Sequence, residues 1–397
     1  MIPRRIATII REDLKKKMVM LAGPRQCGKT TLSKEIAEQS KKSSRYYSWD
    51  IVEDRKAILE GRLDATAELW ILDELHKYRS WKNFLKGKFD QHHPRHSFFI
   101  TGSARLNAYS RGGDSLQGRY YSHRLHPLTL AELLGNKKTP PLKEILSCDQ
   151  PVPMSAAGTL QDLLTLGGFP EPFLSGSEKE ASRWRLSYGS RLVREEVRSL
   201  ESIQDFDKME LLFDRLPTTV GSVLSINSLR EDLEVAFETI RHWLLILENT
   251  YGVFRVAPFG SARIKAVKKE QKLYFWDWAK IPDESARFEN LVALHLLRFV
   301  HWQNDVEGEN FELRYFRDVR GHEVDFILLK DRKPWCAIEV KMSEQALDPN
   351  MKYLVQRVAI PHAFQIHLKG TADFEPPKMN RSAIRVLPAT RFLANLM

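Results

Sequence analysis

The sequence predicts an α/β protein of several domains, on three observations. The chain has 397 residues, too many for a single hydrophobic core, so roughly two to four domains are expected. Between residues 4 and 135, short apolar runs alternate with charged, helix-like stretches, an order typical of a parallel sheet flanked by helices. Residues 281–397 open with a helical pattern and continue with a strand hairpin, which predicts a second α/β domain.

Composition and charge restrict the classes of function. Hydrophobic residues make up 43% of the chain and charged residues 28%, as in folded globular proteins. The formal net charge of +10 favours an anionic partner such as nucleic acid, although ATP or a membrane surface would also suit it. Three scattered cysteines without Cys-x-x-Cys spacing predict neither a disulfide framework nor a zinc site. The same cysteine pattern fits a reducing cytoplasm. We find no signal-type or membrane-spanning apolar run, so no targeting or membrane-anchoring segment is expected.

Four segments are expected along the chain. The first contains predicted strands at 18–22, 45–49, 69–72 and 97–101. A Pro-containing stretch at 136–157 predicts a linker, and a helical section broken by the glycines and prolines of 167–172 follows it. Two helices at 229–233 and 236–248 and two strands at 253–256 and 273–276 have the order of a winged helix. The expected boundaries are 1–155 for the α/β core, 156–216 for a helical lid, 217–280 for the winged-helix-like segment and 281–397 for the last domain.

A phosphate-binding loop follows the first predicted strand. The pattern G-x-x-x-x-G-K-[ST] is matched by Gly23, Pro24, Arg25, Gln26, Cys27, Gly28, Lys29 and Thr30. A helical run begins at Thr31, so backbone N–H groups and the helix N-terminus can face phosphate oxygens. These eight residues and Thr31 are predicted to bind the nucleotide. Lys29 is expected to reach the β and γ phosphates and Thr30 to ligate Mg²⁺, which predicts ATP and Mg²⁺ as cofactors.

Polar residues at the ends of two further strands complete this predicted site. Asp73 and Glu74 follow an apolar run; Asp73 is expected to hold Mg²⁺ and Glu74 to orient or polarise the attacking water, although an Asp-Glu pair can also cap a helix. Ser103 lies where a γ-phosphate sensor is expected, or else in a turn of small polar residues. Arg119 is a candidate for neutralising transition-state charge, in cis or from a neighbouring subunit, or else a solvated surface residue.

These segments resemble an AAA+-type P-loop ATPase, and more narrowly the prokaryotic ATPases that carry a C-terminal domain of unknown function. The resemblance is carried by residues 23–30, by Leu72-Asp73-Glu74 and by residues 100–106, and it continues through 167–171 over nearly the whole chain. It implies Walker B roles for Asp73 and Glu74, a sensor 1 role for Ser103 and an arginine-finger or sensor role for Arg119. Leu75-His76 departs from the expected Ile-Gln.

Carboxylates and a lysine cluster in the C-terminal hairpin. Residues 321–329 and 335–341 read as two strands joined by a polar turn. If the hairpin is symmetric about Arg332, Asp325 lies opposite Glu339 and Glu323 opposite Lys341, because alternate side chains share a face. Asp325 and Glu339 then suit Mg²⁺, and Lys341 suits activation of water for phosphodiester hydrolysis. A cross-strand salt-bridge ladder is the alternative.

The hairpin resembles the PD-(D/E)xK nuclease family. Val324 precedes Asp325 where the family motif has a proline, a position that tolerates other residues. By resemblance, Glu289 on the preceding helix is the family's additional acidic residue. In the middle segment, basic residues around the predicted wing could follow a phosphate backbone, or form only a solvated edge. They are Arg255, Arg263, Lys265, Lys268, Lys269 and Lys272.

The predicted function is an ATP-hydrolysing, AAA+-like switch coupled to a nuclease-like C-terminal half, with ATP and nucleic acid or a protein as partners. One alternative is a Mg²⁺-dependent DNA nuclease gated by ATP, and another is a non-catalytic, nucleotide-dependent binding module for a protein. The sequence leaves the substrate, the pathway and the oligomeric state open.

Overall fold

The structure, a computed structural model, describes residues 2–40, 42–102, 116–136, 141–197, 205–260 and 270–396. Two units are distinguished by their internal packing. The first consists of residues 1–127 with 249–251, and the second of residues 128–248 with 252–397.

The first unit is built on a parallel sheet with the strand order β2-β3-β4-β1-β5, which confirms the predicted α/β class. Its strands are β1 Met18–Ala22, β2 Ser44–Ser48, β3 Leu69–Asp73, β4 Ser97–Gly102 and β5 Tyr120–Arg124, and its helices are α1 Ile6–Asp13, α2 Lys29–Gln39, α3 Val52–Leu59 and α4 Trp81–His92. The three central strands are buried along their whole length, because parallel strands are covered on both faces. Their continuous apolar runs made them visible in the sequence, whereas the polar edge strand β5 was not predicted.

The strand register brings the future site residues to one edge of this sheet. Asp73 pairs with Thr101, and Ala22 pairs with both Gly102 and Arg124. Because the strands are parallel, the segments that follow β1, β3 and β4 all leave at their carboxyl ends, which is where open α/β sheets bind ligands.

The second unit combines helices with a seven-stranded mixed sheet of order β12-β11-β10-β9-β8-β6-β7. Its strands are β6 Val253–Pro258, β7 Lys272–Phe275, β8 Phe311–Arg317, β9 Glu323–Lys330, β10 Lys333–Ser343, β11 His362–Lys369 and β12 Ala383–Pro388. Its helices are α5 Leu130–Leu133, α6 Leu142–Ser147, α7 Ala156–Leu166, α8 Pro170–Ser175, α9 Glu178–Arg191, α10 Phe206–Arg215, α11 Ile226–Leu233, α12 Phe237–Asn249, α13 Glu284–Asp305, α14 Pro349–Arg357 and α15 Ala389–Leu396.

The helices predicted at 229–233 and 236–248 correspond to α11 and α12, and the two strands of the predicted wing are β6 and β7. These strands are hydrogen-bonded into the seven-stranded sheet, since β6 pairs in parallel with β8. The stretch expected to be a linker contains α6, in which Ile145 is buried, and the buried Cys148 follows the end of this helix. Among the described residues, no helix has both the length and the apolar character needed to cross a membrane.

Candidate functional site

The phosphate loop, residues 23–30, joins β1 to α2 through backbone conformations that favour glycine. Gly28 caps the helix at φ 98°, and Gly23 has φ 157°. A Cβ atom on Gly23 would lie 2.5 Å from the backbone oxygen of Leu125, closer than non-bonded atoms approach. The loop therefore requires glycine at position 23 for close packing against the segment after β5.

Lys29 is buried inside this loop. Its Nζ atom donates hydrogen bonds to the carbonyl oxygens of Gly23 at 2.9 Å and Pro24 at 2.7 Å. The ammonium group is therefore already held within the loop that is expected to surround phosphate.

The remaining loop residues differ in exposure. Gln26 and Thr31 are exposed, Arg25 is partly buried and Cys27 is fully buried. The Cys27 thiol points to the carbonyl oxygen of Leu125 at 3.8 Å, and burial raises its pKa. Cys27 thus serves packing, and its contribution to nucleotide binding can come only from its backbone.

Asp73 is a hydrogen-bonding centre beside the loop. The Thr30 hydroxyl donates to Asp73 Oδ2 at 3.0 Å, and the hydroxyls of Tyr46 and Thr101 also donate to the Asp73 carboxylate. Burial, followed by the bond to Asp73, raises the pKa of Tyr46. Sequence reasoning missed Tyr46, whose only signal was its place in the strand beside β3.

Glu74 follows Asp73 in the left-handed backbone region, with φ 56°, a conformation that is costly for a residue other than glycine and is often found at functional sites. Its Oε2 atom is buried and makes no hydrogen bond in the described part of the protein. Lys77 Nζ lies 3.3 Å from this oxygen and His76 Nε2 lies 3.7 Å away. Burial opposes the charge of Lys77, but Asp50 and Glu74 outweigh it and raise the Lys77 pKa.

Two predicted members of this site are not seen beside the loop. Ser103 lies outside the described residues. Arg119 precedes β5, and its carbonyl oxygen accepts a hydrogen bond from the N–H of Met18, the first residue of β1. Its guanidinium binds both oxygens of Asp90, at 2.7 and 3.1 Å. Arg119 is thus at the opposite edge of the sheet from the loop, which argues against the cis role and leaves the role in a neighbouring subunit a prediction.

In the second unit, the hairpin of β9 and β10 brings Asp325 and Glu339 together as expected. Ile338 pairs with Phe326, and at the next position the Asp325 N–H donates to Glu339 Oε2 at 3.3 Å. The Val340 N–H donates to Asp325 Oδ2 at 2.9 Å. Burial, followed by Glu339 and Glu289, raises the pKa of Asp325, and burial raises that of Glu339 to about 7 although Lys341 opposes the shift.

The two lysines at this cluster have different partners. Lys341 binds Glu339 at 2.8 Å and Asp348 at 2.7 Å. Lys272 Nζ lies 2.6 Å from Glu323, so Glu323 interacts with Lys272 where an interaction with Lys341 was expected.

Glu289, on α13, joins the same cluster. Its Oε1 atom lies 3.2 Å from Lys272 Nζ and accepts a hydrogen bond from the Tyr274 hydroxyl at 2.8 Å. The cluster therefore contains the predicted Glu289, Asp325, Glu339 and Lys341. It also contains Lys272 and Tyr274 from β7, which sequence reasoning did not place there.

The basic wing needs correction for two of its six residues. Lys272 is buried, and Arg255 binds both oxygens of Glu248 at 2.7 and 2.6 Å. Neither side chain is available to follow a phosphate backbone, because each is committed to carboxylates. The other four, Arg263, Lys265, Lys268 and Lys269, lie outside the described residues.

Comparison with protein-family models divides the chain into three parts. Residues 15–134 match a model described as an AAA domain, residues 157–279 match a domain of unknown function (DUF8612) and residues 284–383 match a domain of unknown function (DUF4143). The first match confirms the resemblance of the N-terminal region to P-loop ATPases. The other two assign no activity.

Similar proteins and structures cover larger parts of the chain. An uncharacterized protein of Methanocaldococcus jannaschii is 25% identical over 381 residues, 84% of this chain and 77% of that protein. An uncharacterized protein of Mycobacterium tuberculosis is 25% identical over 261 residues, 66% of this chain and 54% of that protein.

Two solved structures are similar to this chain at lower sequence identity. The RuvB Holliday junction branch migration motor of Thermotoga maritima is 19% identical, with 63% of this chain and 87% of that chain covered and a TM-score of 0.31. The ORC1 protein of Aeropyrum pernix in complex with DNA is 13% identical, with 73% and 91% covered and a TM-score of 0.33. These scores are too low for residue-by-residue comparison. By its family-model match, the N-terminal region is similar to AAA domains that carry a P-loop.

Proposed function

We propose that this protein binds ATP with Mg²⁺ at the phosphate loop and hydrolyses it. The observation that carries the proposal is the gathering of Lys29, Thr30, Asp73 and Glu74 at one edge of the parallel sheet. A carboxylate oxygen with free acceptor capacity can accept a hydrogen bond from an attacking water. Glu74 Oε2 makes no hydrogen bond in the described part of the chain and is balanced by the ammonium group of Lys77 at 3.3 Å. The match of residues 15–134 to an AAA domain supports the same proposal.

The residues at the loop fit a magnesium ion and a triphosphate. Thr30 and Asp73 present hard oxygen atoms 3.0 Å apart, the ligand type that Mg²⁺ prefers. Mg²⁺ would neutralise charge on the phosphate oxygens. Tyr46 and Thr101 hold the Asp73 carboxylate in place, and Lys29 exchanges the carbonyl oxygens of Gly23 and Pro24 for phosphate oxygens.

Two substitutions separate binding from turnover. Lys29→Ala removes the ammonium group inside the loop, and we expect ATP affinity to fall at least about tenfold, as for the loss of a charge-assisted hydrogen bond of about 1.5–3 kcal/mol. Glu74→Gln keeps the shape of the side chain but weakens its ability to accept a proton. We expect near wild-type ATP affinity and a fall in kcat of about 10²-fold or more. Binding is measured by calorimetry and turnover by phosphate release.

Matched controls come from the same strand and its approach. Glu68→Gln changes an exposed carboxylate just before β3, whereas Glu74 follows that strand. Lys16→Ala changes an exposed lysine shortly before β1. Both controls should bind and hydrolyse ATP like the wild type. Full ATPase activity in Glu74→Gln or Lys29→Ala would overturn the proposal.

Nuclease chemistry is not included in this proposal. The carboxylates Glu289, Asp325 and Glu339 converge, and the ammonium group of Lys272 lies 3.2 Å from Glu289 and 3.8 Å from Asp325. The metal-ligand roles of Asp325 and Glu339 stay predictions. The expectation that nucleotide state controls the C-terminal half stays a prediction.

For a macromolecular partner, we propose nucleic acid, and the net charge of +10 is the supporting observation. Binding to fluorescent single- and double-stranded DNA is measured over a salt series, with and without ATP. Phosphate contacts give a steep loss of affinity as salt rises. If neither DNA binds even at low salt, the partner is more consistent with a protein.

A further inference from the structure

Lys272 occupies the centre of the carboxylate cluster in the second unit. Its Nζ atom lies 2.6 Å from Glu323 Oε1, 3.2 Å from Glu289 Oε1 and 3.8 Å from Asp325 Oδ1. The side chain is only 1% exposed. Three carboxylates from two elements, Glu289 on α13 and Glu323 and Asp325 at the start of β9, therefore face one buried ammonium group.

The surroundings keep this lysine charged. Burial opposes the charge, but Glu289, Asp325 and Glu323 outweigh it and raise the pKa of Lys272. The ring of Tyr315 lies 5.6 Å from Nζ, a distance at which an aromatic face also attracts a cation. Because a buried carboxylate needs a compensating charge, the ammonium performs the electrostatic role that a metal ion has in other carboxylate sites.

Three further carboxylate oxygens of the cluster have partners of their own. Asp325 Oδ2 accepts the N–H of Val340, and Glu339 Oε2 accepts the N–H of Asp325. Glu339 Oε1 binds Lys341 at 2.8 Å. Among the described residues, no group of three or more His, Cys, Asp or Glu side chains has an arrangement that could hold a metal ion.

A divalent cation does not fit beside this ammonium group. Mg²⁺ and Mn²⁺ bind oxygen ligands at about 2.0–2.2 Å, so a cation shared by Glu289, Glu323 and Asp325 would stand where Nζ now stands. Like charges at such a distance repel strongly in a buried environment. We propose that Lys272 is the built-in counter-ion of this cluster and that it closes the cluster to divalent metal ions.

Manganese binding tests the proposal directly. Mn²⁺ is titrated into the nucleotide-free full chain, and bound ions are counted by electron paramagnetic resonance. Wild type and Asp325→Asn should bind the same number of Mn²⁺ ions, because the cluster takes none in either protein. Lys272→Met removes the charge and keeps most of the length of the side chain, and this variant should gain one Mn²⁺ ion per chain. Adding Asp325→Asn to Lys272→Met should remove that ion.

Lys330→Met is the matched control. Lys330 lies on β9, the strand that carries Asp325, and its Nζ atom lies 2.8 Å from Glu309 Oε2, so its loss should create no Mn²⁺ site at the cluster. Lys272→Arg, which keeps the charge, should likewise bind none.

Two results overturn the proposal. One is a wild-type Mn²⁺ ion that Asp325→Asn removes, a comparison that holds even where Lys272→Met does not fold. The other is a folded Lys272→Met protein that gains no ion. Neither comparison involves ATP, so the outcome is independent of the proposed ATPase activity.

Discussion

Gly23 shows how a single hydrogen atom in place of a side chain sets the shape of the phosphate loop. The nearest backbone atoms to an added Cβ would be the oxygen and carbon of Leu125, at 2.5 and 3.3 Å. Neither can move as a flexible side chain would, because Leu125 is fixed by the hydrogen bond of its N–H to the carbonyl oxygen of Ala22 at 2.8 Å.

We therefore expect Gly23→Ala to lower the free energy of unfolding by about 2 kcal/mol, as for other overpacked sites, and to weaken ATP binding by moving the loop. Gly87→Ala is the control, because Gly87 lies within α4 with no neighbour of an added Cβ inside 4 Å. That change should raise the free energy of unfolding by about 0.5–1 kcal/mol. Chemical denaturation and calorimetry measure both effects; wild-type behaviour in Gly23→Ala would contradict the close packing.

At the scale of elements, α13 is joined to α5 by two buried contacts. Arg298 binds both oxygens of Glu132 at 2.8 and 2.9 Å. His295 Nε2 accepts the N–H of Leu130 at 3.2 Å, and Nδ1 lies 2.8 Å from the carbonyl oxygen of Leu291. This pattern requires a neutral imidazole with its proton on Nδ1, because protonated Nε2 cannot accept a hydrogen bond.

His295 predicts a loss of stability in acid. Burial lowers its pKa from 6.5 to about 4, with the Leu291 carbonyl and Glu132 opposing the shift and Arg298 adding to it. A histidine whose folded pKa is lowered stabilises the protein fully above its unfolded pKa, and this contribution is lost as the pH falls from about 6.5 through 4.

Comparison with a non-titrating variant isolates this effect. His295→Gln can still accept the Leu130 N–H, so the unfolding free energy of wild type relative to this variant should fall by about 3 kcal/mol between pH 7 and pH 4. Urea denaturation at several pH values measures the difference. A difference that does not change with pH would show that His295 keeps an ordinary pKa.

The same scale explains the geometry of the carboxylate cluster. The β9–β10 turn places Asp331 and Arg332 at positive φ, and Lys330 pairs with Lys333. That register, continued without change, would set Asp325 opposite Ile338. The bulge between Pro334 and Cys336 shifts the pairing by one residue, which moves Glu339 opposite Asp325, because one extra residue exchanges the two faces of a strand.

At the scale of the whole molecule, the chain contains two units with separate cores. Such chains often depart from two-state unfolding, so we expect two thermal transitions. A ligand stabilises the unit that binds it, by about 2.7 kcal/mol at a concentration one hundred times its Kd. ATP with Mg²⁺ should therefore raise the midpoint of the transition that belongs to the first unit.

Hydrogen exchange along the thermal transition assigns each step to a unit, and the Lys29→Ala variant supplies the control because it should lose the shift. A rise in the transition midpoint of the second unit alone would show that the nucleotide does not bind at the phosphate loop.

The sequence by itself determined the phosphate loop, the buried strands β1, β3 and β4, and the identities of Asp73, Glu74, Asp325 and Glu339. These features depend on local pattern: apolar runs, glycine at strained positions and side chains that alternate along a strand.

Only the tertiary structure decided which groups meet. Tyr46 reaches Asp73 from a neighbouring strand, Arg119 lies at the far edge of the sheet, and Lys272 is buried among carboxylates instead of lining an exposed wing. The local sequence around Lys272 is basic, and charge alone cannot show that a strand will carry one of those lysines into a sheet beside three acids. Pairing between distant strands fixes such contacts, and no short-range pattern records it.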